Sequence, residues 1–148
     1  MILVDVEYFR DVEYFRVVRD IPFKIPVSAH EPLYTCVGKH VVLKTLLSSL
    51  GLKVRYAFCE WRWSSLDLPK SLKALPHEDR LGHVYLEVYN KQQKRWMIVD
   101  ATWDKKLGSK LPISEWGPSE AQWKEYMKAG GQFVEAFNRW LESIRANT

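Results

Sequence analysis

The sequence predicts an α+β fold, in which helices are segregated from an antiparallel sheet. A helical spacing of apolar residues begins near Cys36 and continues to Leu50. Three later segments, residues 53–61, 83–89 and 95–100, are rich in β-branched and aromatic residues, which is typical of strands. Only a short polar stretch separates the last two segments, so we expect them to form a hairpin.

The first predicted helix covers residues 5–19 and contains a tandem repeat. The hexapeptide Asp-Val-Glu-Tyr-Phe-Arg occurs at 5–10 and again at 11–16. Six residues rotate a helix by about 240° beyond one full turn, so the two copies cannot share a helical face. We expect the second copy to dock on the core, and residues 1–11 are a candidate extension.

The second predicted helix covers residues 36–50. Thr35 is a suitable N-cap residue, and Gly51 is a suitable C-terminal stop. Its apolar stripe consists of Val42, Leu43, Leu46, Leu47 and Leu50.

The rest of the chain completes a single domain. Residues 64–82 are predicted to be a loop, and a last helix is predicted over 119–145 with an interruption at Gly130 and Gly131. No linker is long enough to divide the chain, so we expect one domain over residues 1–148.

Composition and charge narrow the class of protein. The net charge is +4, but the Lys and Arg residues are scattered among acids, so we do not expect a nucleic-acid partner. The first ten residues do not resemble a signal peptide, and no stretch approaches the ~20 apolar residues of a membrane span. We therefore expect a cytoplasmic protein without a membrane partner. Its two cysteines, Cys36 and Cys59, would be free thiols there.

Cys36 is the first candidate for chemistry, because it lies at the predicted start of a helix. Unpaired backbone N–H groups and the helix dipole stabilise a thiolate at such a position. The same N–H groups can hold the negative oxygen of a tetrahedral intermediate. Gly38 would allow a substrate to approach closely. The alternative is that Cys36 is a small core residue, which is how we interpret Cys59.

The predicted hairpin connects a histidine with an aspartate. If the two strands close about Lys91 and Gln92, then Glu87 faces Trp96 and His83 faces Asp100. The carboxylate could then hold the imidazole in one tautomer, as the third member of a catalytic triad does. A slip of one residue would put the two side chains on opposite faces, and a surface His–Asp pair is the alternative interpretation.

The other histidines give weaker predictions. His40 follows Cys36 by four residues, and the two could share a metal, but no further Cys or His cluster completes such a site. We therefore predict no metal and no cofactor. His30 and His77 lie in predicted loops, where each either borders a cleft or is solvated.

These residues resemble the transglutaminase-like superfamily in three ordered blocks. The segment Cys36-Val-Gly-Lys-His, with the helix and strand that follow, resembles the nucleophile helix of that family. Gly82-His83-Val-Tyr-Leu-Glu-Val-Tyr resembles its histidine strand. Arg95-Trp-Met-Ile-Val-Asp100-Ala-Thr-Trp103-Asp104 resembles its aspartate strand. The resemblance covers about residues 20–105.

The resemblance implies a papain-like core, with a nucleophile helix packed on an antiparallel sheet and flanking helices. It also implies acyl transfer through a thioester, with Cys36 as nucleophile, His83 as general base and acid, and Asp100 as orienting group. Papain-like enzymes place a Gln or similar donor before the nucleophile, and none precedes Cys36 here. Tyr34 and His30 are the candidate oxyanion-hole residues.

The function that follows is thiol-dependent hydrolysis of an amide or carboxamide bond, as in a cysteine protease or amidase. Acyl transfer to an amine, a catalytically silent binding module, and a nucleic-acid or acidic-partner binder are the alternatives. The expected substrate is a peptide, a protein or a small amide, and the oligomeric state is not indicated. Residues 64–82 and 104–118 could form cleft walls. Candidate cleft-lining residues are Trp61, Trp63 and Trp103, for which core packing is the alternative.

Overall fold

The computed structural model describes residues 6–116 and 131–147, and within them it has the predicted α+β arrangement. The helices are α1 (Val6–Arg19), α2 (Cys36–Ser49), α3 (Lys70–Lys73) and α4 (Gly131–Ala146). The strands are β1 (Val54–Arg62), β2 (Arg80–Asn90) and β3 (Arg95–Val99), and single 3₁₀ turns occupy Trp63–Ser65 and Lys105–Leu107.

The three strands form one antiparallel sheet in the order β1-β2-β3. Along the first pair, Cys59 lies opposite His83. Along the hairpin, Asn90 pairs with Arg95 and Leu86 with Val99. The predicted hairpin register is therefore wrong by two residues, because Glu87 faces Ile98 and not Trp96.

The turn between β2 and β3 explains this difference. The turn contains residues 91–94, and Lys94 adopts a left-handed backbone with φ 52°. The Asn90 side chain accepts hydrogen bonds at 3.0 Å from the backbone N–H groups of both Gln92 and Gln93. Such a side-chain cap favours a turn that is centred one residue later than we predicted. Side chains alternate between faces every residue, so a shift of two residues leaves each on its predicted face.

Helix α2 packs its buried side against one face of the sheet. Leu43 and Leu47 are fully buried there. They belong to a hydrophobic cluster completed by Phe15 and Val18 of α1, Leu86 and Val88 of β2, and Met97, Val99 and Ala101 of the third strand and its end. The burial of Phe15 confirms that the second hexapeptide copy docks on the core.

The buried side of α2 differs from the predicted stripe. Val42 is 47% exposed, whereas Lys39 and His40 are buried. Gly51 ends the helix as predicted, with φ 85° and an N–H to Ser48 carbonyl distance of 3.0 Å. Thr35 occupies the N-cap, but its side chain makes no capping hydrogen bond.

Helix α4 covers a second hydrophobic cluster. Its residues Phe133, Phe137 and Leu141 pack against side chains from the segment after β1 and from the segment after β3. Arg145 fixes the end of α4 through two hydrogen bonds to the buried Asp104 carboxylate, of 2.7 and 2.9 Å, and a third of 2.8 Å to the Phe23 carbonyl. The segment that follows Asp100 is thereby anchored to the last helix.

Several predicted boundaries are corrected or fall outside the description. The segment 64–82, predicted to be a loop, contains α3 and the start of β2. The predicted last helix is described only from Gly131 onward, and its earlier part lies outside the described residues. Within the described ranges, no helix is long and apolar enough to cross a membrane.

Candidate active site

Cys36, His83 and Asp100 come together where α2 begins and β3 ends. Cys36 is the first residue of α2, His83 lies within β2, and Asp100 directly follows β3. The Nε2 atom of His83 is 2.7 Å from Oδ2 of Asp100. The Cys36 thiol also interacts with this imidazole and raises its pKa. Because Nε2 faces the carboxylate, the other ring nitrogen, Nδ1, is the one left for the thiol.

The surroundings of His83 favour its protonated form. Burial disfavours an imidazolium, but the Asp100 carboxylate, by its charge and its hydrogen bond, and the Cys36 thiol outweigh this effect. The pKa of His83 is raised to about 9. The ring can therefore carry a proton at neutral pH, next to both a carboxylate and a thiol.

Asp100 is held as a carboxylate by a residue that the sequence reasoning missed. Its Oδ1 atom accepts hydrogen bonds from the Thr102 backbone N–H, at 3.0 Å, and from the Thr102 hydroxyl. Burial raises its pKa, but the His83 charge, the His83 hydrogen bond and the Thr102 hydroxyl lower it to about 2. An aspartate that bonds the backbone two residues later is a common turn signal, and it could have identified Thr102.

His40 is buried beside Cys36 and Asp100, and both of its ring nitrogens form hydrogen bonds. Nδ1 lies 2.7 Å from the Cys36 carbonyl, and Nε2 lies 2.9 Å from the Ala101 backbone nitrogen. A backbone N–H can only donate, so Nε2 must be unprotonated and Nδ1 must donate to the carbonyl. His40 is therefore neutral, and its Nε2, 3.4 Å from Asp100 Oδ1, has no proton to share with that carboxylate.

The electrostatics of His40 agree with this tautomer. Burial lowers its pKa to about 4, although Asp100 opposes the shift. Two occupied nitrogens leave no lone pair for a metal. Among the described residues, no group of three or more His, Cys, Asp or Glu side chains could hold a metal ion.

Lys39 is a second buried polar residue that the sequence did not reveal. Its Nζ atom donates to the carbonyls of Arg19 and Thr102, each at 2.7 Å. Burial lowers the pKa of Lys39 to about 7, against the attraction of Asp104 and Asp100. In the sequence it looks like an ordinary lysine on the surface of a helix, so no local signal could have identified it.

Gly38 has a different role from the predicted one. A side chain at this position would place Cβ 1.6 Å from the Leu33 carbonyl oxygen. The close approach that requires glycine is therefore made by the preceding loop and not by a substrate. The contact fixes the loop before Cys36 against the first turn of α2.

The candidate oxyanion residues lie on that loop. Tyr34 is exposed, and its carbonyl accepts a hydrogen bond of 3.3 Å from the Lys24 backbone N–H. His30 is also exposed. Both residues stay candidates for the oxyanion hole. The Cys36 backbone N–H, in the first turn of α2, needs no partner within the helix and remains a possible donor.

Trp63 and Trp103 are core residues. Trp63 is fully buried, with its ring 5.0 Å from that of Phe133 and 4.8 Å from that of Phe137. Trp103 is 6% exposed and packs 4.6 Å from the Phe23 ring. The prediction that these two line a cleft is therefore wrong, because the core under α4 covers them. The side chain of Trp61 lies outside the described part of the chain.

Cys59 is nearer to the site than we predicted. It lies opposite His83 on the neighbouring strand and is partly buried, so it is no core cysteine. Cys36 itself is only 3% exposed, while its neighbour Val37 is exposed. A cavity of about 670 Å³ is lined by Asp20, Asp104 and Arg145 among others, and its lining includes none of Cys36, His83 and Asp100.

Comparisons with known proteins give no relative for this chain. No protein-family model matches it, and neither the curated proteins nor the solved structures contain a significant match.

Proposed function

We propose that this protein is a thiol hydrolase that cleaves amide or carboxamide bonds with Cys36, His83 and Asp100. The observation that carries the proposal is the 2.7 Å contact from Asp100 to an imidazole whose pKa the Cys36 thiol also raises. A thiol is activated when a base lies beside it and a third group orients that base.

The acylation step uses the two ring nitrogens of His83 differently. Nδ1 accepts the Cys36 proton, and the thiolate sulfur forms a bond to the substrate carbonyl carbon, whose oxygen becomes negative. The first-turn N–H of Cys36 stabilises that oxygen. When the tetrahedral intermediate collapses, the C–N bond breaks and the His83 imidazolium donates its Nδ1 proton to the leaving amine.

In deacylation His83 again acts first as a base. Neutral His83 takes a proton from water, whose oxygen attacks the thioester carbon, and the C–S bond then breaks. The sulfur leaves as a thiolate, which the imidazolium beside it stabilises. Asp100 stays ionised throughout, because Thr102 and His83 lower its pKa to about 2. Its task is to hold Nε2–H and to stabilise the imidazolium.

The acyl acceptor we favour is water. Transfer to an amine requires a closed site that excludes water, and hydrolysis has no such requirement. Transglutaminase-type transfer to a primary amine is the alternative within the same chemistry.

Membership of the transglutaminase-like superfamily, with its papain-like core, is part of the proposal. The ordered Cys36, His83 and Asp100 blocks support it, together with a nucleophile helix that packs on an antiparallel sheet. Under this proposal the substrate is a peptide, a protein or a small amide.

The deciding experiment measures alkylation of Cys36 by iodoacetamide between pH 5 and 10, with peptide mapping to separate it from Cys59. We expect rapid alkylation of Cys36 at pH 6 that is lost in a His83→Gln variant, whereas an ordinary thiol reacts only above about pH 8. If Cys36 reacts no faster than Cys59 at pH 6, the proposed nucleophile is wrong and the silent binding module becomes the better interpretation.

The acceptor can be tested with p-nitrophenyl acetate. We expect a stoichiometric burst of nitrophenol and an acetyl group on Cys36, followed by turnover in water. Turnover that depends on added methylamine would instead indicate acyl transfer to amines. A Cys36→Ser variant is the control for reaction elsewhere on the chain.

A further inference from the structure

We propose that His40 is a positioning residue that ties the nucleophile to the turn holding the triad aspartate, an inference that rests on the proposed thiol chemistry. The side chain bridges Cys36 O, one turn earlier in α2, and Ala101 N, directly after Asp100. It thereby joins two segments that are 61 residues apart in sequence.

The bridge acts on the two ends of the triad at once. The Cys36 carbonyl belongs to the nucleophile itself, and Ala101 is the residue between Asp100 and its partner Thr102. A shift of either segment would change the distance between the thiol and the imidazole that Asp100 orients. Small displacements of a catalytic group have large effects on rate.

The environment makes this bridge rigid. The His40 ring is 0% exposed, and its centroid is 6.4 Å from that of His83 at an angle of 82°. The preceding residue, Lys39, makes a parallel link from the same helical turn to the Thr102 carbonyl at 2.7 Å. Two consecutive residues of α2 therefore hold the backbone of residues 101 and 102.

The charged and titratable groups around His40 explain why a neutral imidazole is suited to this place. Cys36 and Lys39 face it from α2, His83 from β2, and Asp100 from the end of β3. A cation at position 40 would lose the hydrogen bond from the Ala101 N–H and would compete with His83 for the Asp100 carboxylate. A neutral ring with one donor and one acceptor satisfies both backbone groups and leaves Asp100 to His83.

Three variants separate the two hydrogen bonds from the shape of the ring. His40→Gln keeps an acceptor near the Nε2 position for Ala101. His40→Asn keeps a donor near the Nδ1 position for the Cys36 carbonyl only. His40→Leu keeps a similar volume and neither bond. Leu47→Ala, a buried change in the same helix away from the bridge, is the control for general loss of stability.

The first readout is the alkylation rate of Cys36 at pH 6, measured well below the melting temperature of each variant. We expect His40→Gln and His40→Asn, which each keep one end of the bridge, to react more slowly than the wild type, and His40→Leu, which keeps neither end, to react at least about tenfold more slowly. Leu47→Ala should match the wild type. If His40→Leu is closest to the wild type, or if Leu47→Ala slows the reaction equally, the residue only fills space and the inference is wrong.

The second readout is NMR titration of the imidazoles in a Cys36→Ser background, which does not depend on thiol reactivity. We expect ¹⁵N shifts of an Nδ1-protonated, neutral His40 at pH 6, and a lower pKa of His83 in His40→Leu than in the parent. A protonated His40, or an unchanged His83 pKa, would overturn the inference even if Cys36 is reactive. An unreactive wild-type thiol together with the expected NMR result would instead reject the proposed function and keep the structural bridge.

Discussion

Asp100 lies diagonally across the β2–β3 hairpin from His83, two residues away from direct opposition, and its Oδ2 atom is 2.7 Å from His83 Nε2. Directly opposite Asp100, in the continued register, is Tyr85, whose ring stacks on the His83 ring at a centroid distance of 6.0 Å. Diagonal neighbours on one face of an antiparallel pair are about 7–8 Å apart at Cα, within reach of a hydrogen bond between long side chains. The His83 imidazole therefore contacts the Asp100 carboxylate, although Tyr85 is the residue directly opposite Asp100.

This contact leads to a prediction about Asp100→Asn. Loss of the carboxylate should lower the pKa of His83 from about 9 by about 1 to 3 pH units, because the burial that opposes its protonation is then left uncompensated. NMR titration of the His83 ring measures this change in pKa. The rate of Cys36 alkylation at pH 6 should also fall, by at least about tenfold.

Asp79→Asn is the matched control, because Asp79 is a carboxylate of the segment before β2 that bonds Ser64 and not the triad. It should leave both measurements unchanged. An Asp100→Asn protein whose His83 still titrates near pH 9 would show that the carboxylate does not hold the proton.

Acid sensitivity should follow from His40. The folded protein holds His40 neutral with a pKa of about 4, whereas the unfolded chain binds a proton near pH 6.5. As the pH falls from 6.5 to 4, the unfolded state alone gains this proton, so the free energy of unfolding should fall by about 3 kcal/mol. The contribution is constant only well above pH 6.5, where both states are neutral.

Urea unfolding of wild type and His40→Leu at pH 6.5 and pH 4 tests this effect, because groups remote from residue 40 titrate alike in both. The wild type should be the more stable at pH 6.5, since the variant leaves the Ala101 N–H without its acceptor. The difference should shrink at pH 4. A difference that stays constant would show that His40 titrates normally in the folded protein.

Gly38→Ala should be strongly destabilising. The new Cβ would lie 1.6 Å from the Leu33 carbonyl oxygen, so the loop before the nucleophile must move. We expect a loss of about 3 kcal/mol or more in urea unfolding. Gly51→Ala is the comparison, since it meets open space and should cost only about 1 kcal/mol for its φ of 85°. Equal losses at the two sites would contradict the packing of Leu33 on α2.

Arg145→Met should destabilise the fold by about 3 kcal/mol, because it leaves the buried Asp104 carboxylate without its bidentate partner. Arg139→Met, an exposed change on the same helix, should remain within about 0.5 kcal/mol of wild type. Thermal or urea unfolding of both variants measures this. A small effect at Arg145 would indicate that the ion pair does not anchor α4.

The sequence by itself determined the period of each element and the face on which each side chain lies. Alternation along the strands put His83 and Asp100 on one face, and the apolar spacing after Thr35 placed Cys36 at the first turn of a helix. These features are local, because they depend on residues two to four positions apart. These local features are correct even though the predicted hairpin register was wrong by two residues.

The tertiary structure alone decided which polar groups are buried and which aromatic residues are covered. Lys39 and His40 are inside because the end of α1 and the turn after Asp100 supply backbone partners, and those partners are distant in sequence. Trp63 and Trp103 are in the core because α4 lies over them. Burial depends on what packs against a residue from elsewhere in the chain, and the periodicity of a single segment does not contain that information.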